Sequence, residues 1–424
     1  GDIRSRCLRL ADASNEEARA VKALLAHRLP SEQEGGPMAA KAEWYALVEG
    51  DHPLWEGVSQ PYAHVIRSFL VHFHQQILGQ PNGSGPRFNF SNGSIGNFLF
   101  AGARMFFRSL EAAIFLFSRV SRIPEGCNVL PAICTEERIT LGAELEDGSL
   151  IRGQNNISHP APTGSVGGSS VVVKAAAHQT PLPSPIRRVF YISSASASSS
   201  INGNTEGRRW SDSNVGQDDT FSPLAGTSAL ATGFTTRSFS PPSNAIAMMG
   251  RLGVTELEVL PSAHPACLKE LSRCDAVVYG MGSLYTSICP TICLDGVGEA
   301  MAARTMPKLF LLNGSHDRET SSCGAHEGPM TAADMVQAIS DALNRRRNRQ
   351  GTRLRHPPSA YVTGILVPQG GEIVVDRQAL HLLGVRHVLE VQSVRDQDGN
   401  TVFEPSDLVH KLALCIQAHR PNQS

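Results

Sequence analysis

"DAVVYGMGSLYTSICP", residues 275–290, decides the fold class. Ala276, Val277, Val278 and Tyr279 form an apolar run without polar alternation, the pattern of a central strand buried on both faces of a parallel sheet. The run stops at Gly280-Met281-Gly282-Ser283, and hydroxyls follow at Ser283, Tyr285, Thr286 and Ser287 before Pro290. In a parallel sheet such a turn falls at the C-terminal strand ends, where ligands bind. Glycines let the backbone approach a phosphate, and N–H and hydroxyl groups then donate to it. Taken alone, a GxG without the full GxGxxG favours a plain strand-to-helix reversal with capping hydroxyls over a phosphate loop.

The surroundings of this stretch supply the rest of a sheet. A helix is expected at 265–273 and another at 288–304. A strand at 308–312 ends on Asn313-Gly314, a helix covers 331–346, and strands follow at 361–367 and near 387–392. Helices alternating with short apolar strands predict a parallel sheet covered on both faces. Upstream, Ser14 and Glu17 fit a capping box for a helix over 14–29, with Val21, Leu24, Leu25 and Leu29 as its stripe. A polar loop is expected at 30–42, a helix at 62–78 and apolar helices over 98–121. Residues 127–134 read as a buried strand, 138–153 as a hairpin around Asp147-Gly148, and 187–192 as a further strand. Residues 158–185 and 195–244 are rich in small and polar residues; they read as low-complexity, dispensable surface insertions.

Bulk composition excludes some function classes. The 424 residues carry 38 basic and 39 acidic side chains, so no global field favours nucleic acid or a membrane surface. The cluster Arg345, Arg346, Arg347 and Arg349 lacks interleaved aromatics and reads as a solvated helix end. Nine cysteines without CxxC pairs, several in apolar runs such as Cys127, Cys134, Cys289 and Cys293, point to reduced, buried thiols and an intracellular location, cytoplasmic or organellar. The chain does not begin with Met, so a targeting segment could precede it. No apolar run reaches membrane-spanning length. His72 and His74 point to opposite sides of their helix and make no metal pair, and no G-x-S-x-G elbow appears.

Three further loops carry donor-rich chemistry. "NFSNGSIGNFLF", residues 89–100, places Asn92, Ser94, Gly96 and Asn97 before an apolar helix; it suits a ligand loop or an N-capped helix equally. "LLNGSHDRET", residues 311–320, follows a strand and offers Asn313, Glu319 and Thr320 among other polar groups. The first residues, Gly1-Asp2-Ile3-Arg4, set an acid and a guanidinium beside a glycine, which suits a phosphate or metal-phosphate site.

Together these motifs resemble the family containing 2-phospho-L-lactate transferase (CofD) and the gluconeogenesis factor YvcK. The resemblance rests on Gly1-Asp2-Ile3-Arg4, on Ser94-Ile95-Gly96-Asn97, on the long G-x-G-S-L-Y-T-S-I-x-P run from Gly280 to Pro290, and on Asn313 followed by Glu319-Thr320. It covers about 1–157, 186–192 and 255–392, leaving out the two insertions, which look like a eukaryotic elaboration. It implies a Rossmann-like, doubly wound, mostly parallel three-layer α/β domain spanning the chain. It also implies a nucleotide-linked, phosphorylated small molecule as partner. Gly1, Asp2, Arg4, Asn92, Ser94, Gly96, Asn97, Gly280, Gly282, Ser283, Thr286, Ser287, Asn313, Glu319 and Thr320 are the binding residues carried over.

Two functions follow from the resemblance. A transferase of the CofD kind moves a phospholactyl group from a nucleoside diphosphate ester to a flavin-like acceptor, usually with Mg2+. A YvcK-like protein binds a nucleotide sugar and regulates without catalysis. The family's initial strand and glycine-rich phosphate loop, and the acidic segment expected to hold the metal, would precede Gly1. The chain as given is therefore expected to be inactive, no catalytic residue is named in it, and no metal ligands are assigned within it. The G-S-L-Y-T-S wording is nearer the YvcK branch. A homo-oligomer is compatible with the sequence.

Overall fold

The computed structural model describes residues 3–79, 88–135, 137, 139–158, 181–194, 256–321, 328–345 and 353–419. The chain divides into two compact units, residues up to 131 and residues from 132 onward, where the sequence suggested a single domain. The division follows from burial. All the buried residues of one apolar core, from Cys7 to Ile123, belong to the first unit.

That first unit is helical. Helices α1 (Ile3–Leu10), α2 (Glu16–Ala26), α3 (Gly36–Glu49), α4 (Gln60–Leu78), α5 (Ile95–Phe107) and α6 (Leu110–Val120) enclose Trp44, Phe73, Phe90 and Phe98. Asn15, rather than Ser14, caps α2: its side chain accepts from the Ala18 N–H, while Ser14 bonds to Asp12. The loop expected at 30–42 instead starts α3, with Pro37 in its first turn and Trp44 fully buried. The Gly35-Gly36-Pro37 sequence reads as loop, yet proline is tolerated in the first helical turn, where its missing N–H is no loss. His74 accepts a hydrogen bond from Trp44 Nε1, and the His72 ring lies edge-on to Phe106.

The second unit holds two four-stranded sheets. Strands β1 (Ile139–Leu145), β2 (Leu150–Arg152), β3 (Ile186–Ser194) and β4 (Glu256–Val259) form an antiparallel sheet in the order β2-β1-β3-β4. The expected hairpin is present, with Ala143 opposite Ile151 and the Ser149 N–H donating to Asp147 at its turn. No strand covers 127–134; only an isolated bridge joins Ile133 to Ala263, and Cys127 and Cys134 are exposed. Short helix α7 (Gln154–Ser158) follows β2. The first insertion ends earlier than residue 185: Leu182 is 4% exposed, in the same core as Ile157. The rest of that insertion after Ser158, up to residue 180, and all of 195–244 lie outside the described residues.

The second sheet is parallel, in the order β5 (Val277–Tyr279), β6 (Lys308–Leu311), β7 (Gly364–Pro368), β8 (His387–Val391). Alternate residues face opposite cores, which makes three layers. Phe310 and Ile365 pack in a core with Val336 and Ile339 of helix α11 (Ala332–Asn344). Leu309, Leu311 and Leu366 pack with Leu408 of helix α13 (Pro405–His419). The unit also contains α8 (Pro265–Arg273), α9 (Cys289–Ile292), α10 (Val297–Ala302) and α12 (Arg377–Leu382). The helix expected over 288–304 is thus interrupted after Ile292 and resumes at Val297, beyond Gly296 in a left-handed conformation, while Pro290 is accommodated in the first turn of α9. A two-stranded ribbon, β9 (Ser393–Arg395) with β10 (Thr401–Phe403), follows β8.

One expectation about the opening stretch fails. β5 is not central: among the described strands it pairs only with β6, and Val278 is 41% exposed. Its unbroken apolar run reflects packing of Tyr279 inward and Val277 half inward, not burial on both faces.

Candidate functional site

The C-terminal ends of β5 and β6 lie side by side, so the loops that leave them meet. Gly280 and Met281 are exposed, and a Cβ placed on Gly280 would meet nothing within 4 Å. A Cβ on Gly282 would come to 3.1 Å from the Ser287 Cβ. Asn313, the second residue after β6, donates from Nδ2 to the Gly282 carbonyl at 3.2 Å. This bond ties the two loops together at the turn itself.

Glu319 makes the second tie. One carboxylate oxygen accepts from the backbone N–H of Tyr285 (2.8 Å) and of Thr286 (3.1 Å); the other accepts from the Thr286 hydroxyl at 2.5 Å. Glu319 is 2% exposed, and burial together with the nearby Asp317 pushes its carboxyl up to about 7 despite those donors. The carboxylate therefore occupies the start of the π-helical turn Leu284–Ile288, the position a bound anion would otherwise take. Asp317 in turn accepts from the N–H groups of Glu319 and Thr320 and from the Thr320 hydroxyl, which fixes the loop.

Some expected donors are thus engaged inside the protein and others are not. Thr286 and Thr320 serve Glu319 and Asp317 respectively. Ser283 and Ser287 are half-buried, and their hydroxyls make no hydrogen bond among the described residues. The open groups of this site are the Gly280–Gly282 N–H groups and the Ser283 and Ser287 hydroxyls. Arg318, not singled out from sequence, is 9% exposed and reaches the Asn156 carbonyl at 3.4 Å. Its only sequence signal was its place beside Glu319-Thr320.

The other expected residues fall in the helical unit and form their own cluster. Arg4 donates to the Ser94 hydroxyl at 2.9 Å and is 8% exposed. A Cβ on Gly96 would meet the Leu25 carbonyl at 2.6 Å and the Arg4 Cδ at 2.8 Å, so this glycine lets α5 pack on Arg4. Asn92 takes a left-handed conformation (φ 57°), and its carbonyl accepts from Arg28 at 3.0 Å. Asn97 is half-buried. Gly1 and Asp2 lie outside the described residues.

A family model described as 2-phospho-L-lactate transferase CofD matches residues 1–392. The chain belongs to the CofD family. Within this family it is similar to an uncharacterized protein of Saccharomyces cerevisiae, 27% identical over 98% of this chain and 87% of the yeast protein. It is also similar to a putative gluconeogenesis factor of Nostoc, 29% identical over 36% of this chain and 32% of that protein. A gluconeogenesis factor of Halalkalibacterium halodurans is 35% identical over 18% of this chain and 21% of its own. A crystal structure of a Bacillus halodurans protein aligns over 95% of this chain and 97% of that one, with 18% identity and a TM-score of 0.45. For a CofD-family chain, two of the four motif loops meet at the parallel sheet's C-terminal edge and the other two meet in the helical unit.

Among the described residues no group of three or more His, Cys, Asp or Glu side chains is arranged to hold a metal ion. Glu319 is held by three donors through both of its oxygens, and Asp317 is fixed by its own loop through Oδ1. No step is assigned to Mg2+. No helix among the described residues is long and apolar enough to cross a membrane.

Proposed function

We propose that this CofD-family chain binds a nucleotide-linked, phosphorylated small molecule at the β5–β6 edge, in the service of phospho-group transfer of the 2-phospho-L-lactate transferase type. The observation that carries the reading is the Gly280–Ser283 turn. It leaves a parallel strand, is braced by Asn313, and keeps exposed backbone and two unengaged hydroxyls together. A phosphate set there would take hydrogen bonds from backbone N–H groups and from Ser283. Such transfer depends on positioning and charge stabilisation more than on a covalent nucleophile.

Binding of a nucleotide sugar without turnover is the second reading. It is favoured by the G-S-L-Y-T-S wording of the turn and by the two bacterial relatives named as gluconeogenesis factors.

Thermal shift with guanosine, uridine and adenosine diphosphates and their esters tests both. A shift with turnover to a deazaflavin alcohol supports the transferase. A shift with uridine diphosphate sugars and no turnover supports the regulator. No shift up to about millimolar ligand, a binding energy under roughly 4 kcal/mol, would sink the site itself. Gly280→Ala sharpens the test. Its Cβ has open space, so stability should change by less than about 1 kcal/mol, while a phosphate against the turn would be pushed away. Ser283→Ala should remove one charge-assisted bond, about 1.5–3 kcal/mol of affinity. Unchanged affinity in both variants would mean that the turn serves only the fold.

A further inference from the structure

The near-even total charge conceals a local imbalance in the helical unit. Residues 60–122 contain six arginines, one acidic residue and no lysine, together with ten of the chain's 16 phenylalanines. Most of those rings point inward, but Phe106 and Phe107, the last two residues of α5, are 61% and 41% exposed. The pair is held rather than loose. Their rings meet edge-on at 5.2 Å, and Phe69 of α4 lies 5.6 Å and 5.5 Å from them. Arg108 then turns the chain in a left-handed conformation (φ 54°) towards α6. On α6, Phe115 is 61% exposed with the Arg119 guanidinium 5.0 Å from its ring centre.

The arginines here differ from their neighbours in the same stretch. Arg67 bonds the Val48 carbonyl, and Arg122 is engaged by Tyr62 and Glu17. Arg104, Arg108 and Arg119 make no ion pair among the described residues. Exposed aromatic rings beside unpaired cations mark a surface that meets something apolar and anionic at once.

We infer that the α5–α6 turn docks on an anionic lipid bilayer, with Phe106 and Phe107 entering the interface and Arg104, Arg108 and Arg119 meeting lipid headgroups. A second copy of the chain is a poorer occupant, because a two-fold contact through this face would set the arginines against their own copies. A protein of acidic surface would answer the charge. It would also need a pocket shaped to two rings protruding at a helix end, whereas fluid acyl chains take them without such a shape. The docking is peripheral, and it reverses the expectation that total charge suggested.

The test is pelleting of the full chain with sucrose-loaded vesicles, of phosphatidylcholine alone or with about 30 mol% phosphatidylserine. The chain should pellet with the anionic vesicles and be released as salt rises. Each arginine near the surface is worth about fivefold in partitioning, so R104Q/R108Q should weaken binding by roughly 25-fold. F106S/F107S should weaken it by at least about tenfold. Phe106, Phe107 and Arg108 are exposed and Arg104 is half-buried, and unchanged unfolding midpoints would show that each double variant is folded. The arginine pair leaves the ring packing intact and is informative even if the phenylalanine pair is not. Failure to pellet, equal binding to both vesicle types, or undiminished binding by R104Q/R108Q would overturn the proposal. So would a dimer in sedimentation velocity that F106S/F107S dissociates.

Discussion

Glu319→Ala should cost about 2–4 kcal/mol of stability at neutral pH, while Glu319→Gln should cost little. The alanine strips the acceptor from two buried backbone N–H groups and from the Thr286 hydroxyl. Each buried donor left without a partner costs about 1–3 kcal/mol. Glutamine keeps one oxygen for the two N–H groups, and its amide can donate to the hydroxyl that previously donated to the acid. The two variants also differ from the native protein in pH dependence. The native carboxyl sits at about 7 against 4.5 in an unfolded chain, so between those values the folded state holds a proton that the unfolded state has lost. This contribution is fully present below about pH 4.5 and is lost as pH rises through about 7; its span is on the order of 3 kcal/mol. Denaturant unfolding at about pH 5.5 and pH 8 should therefore show the native protein losing stability across the interval more steeply than Glu319→Gln. Equal losses for Ala and Gln would show that the three hydrogen bonds do not brace the turn. A pH slope that persisted in Glu319→Gln would place the titrating group elsewhere.

That carboxylate also marks the limit of what the sequence disclosed. The β5–turn–hydroxyl run announced a parallel strand ending in a donor-rich loop, and Asn313 and Glu319 stood at the end of the next strand. Both loops do meet. Periodicity could not say that Glu319 would consume Thr286 and two N–H groups, because that pairing joins residues 33 and 34 positions apart. The same blindness explains Val278. An apolar triplet looks the same at an edge as in a centre, and only strand order distinguishes them. It explains Glu144 too. A glutamate between apolar Ala143 and Leu145 on a strand reads as the solvent-facing partner, yet it is 6% exposed and accepts from Arg188 Nε at 2.6 Å. Arg188 also grips Glu258, so a charged network covers that face of the antiparallel sheet. A buried ion pair between neighbouring strands far apart in sequence has no local signature. Helix α3 was missed for the opposite reason, a strong local signal of glycine and proline overridden by burial of Trp44, Leu47 and Val48. Arg4, Ser94 and Gly96 were found as motif residues, but their mutual packing came only with the helices in place.

Gly314→Ala should be the most damaging single methyl at this edge of the sheet, costing roughly 2–4 kcal/mol and weakening nucleotide binding together with stability. A Cβ on Gly314 would lie 2.0 Å from the Thr401 carbonyl oxygen and 2.8 Å from its carbon, a clash with backbone that no side-chain rotation relieves. Two movements could open the space. β10 could retreat, but Thr401 is 7% exposed and Phe403 packs in the core with Leu309, Leu366 and Leu408, so that movement opens the packing beneath β6 and β7. Alternatively the 313–320 loop could shift, but Asn313 would then leave the Gly282 carbonyl and Glu319 would leave Tyr285 and Thr286. Either route costs stability, and only the second reaches the proposed ligand turn. Paired measurements of unfolding and nucleotide affinity separate them. Loss of both places the strain in the loop, and loss of stability with affinity retained places it in β10. For stability alone Gly280→Ala is the matched control, the same methyl added to open space two residues before Gly282. If Gly314→Ala unfolded like the native protein, the close approach of Gly314 to Thr401 would not constrain the loop. Asn313 would then be held by its side-chain bond to Gly282 and by the bond from the Glu372 N–H to the Gly314 carbonyl.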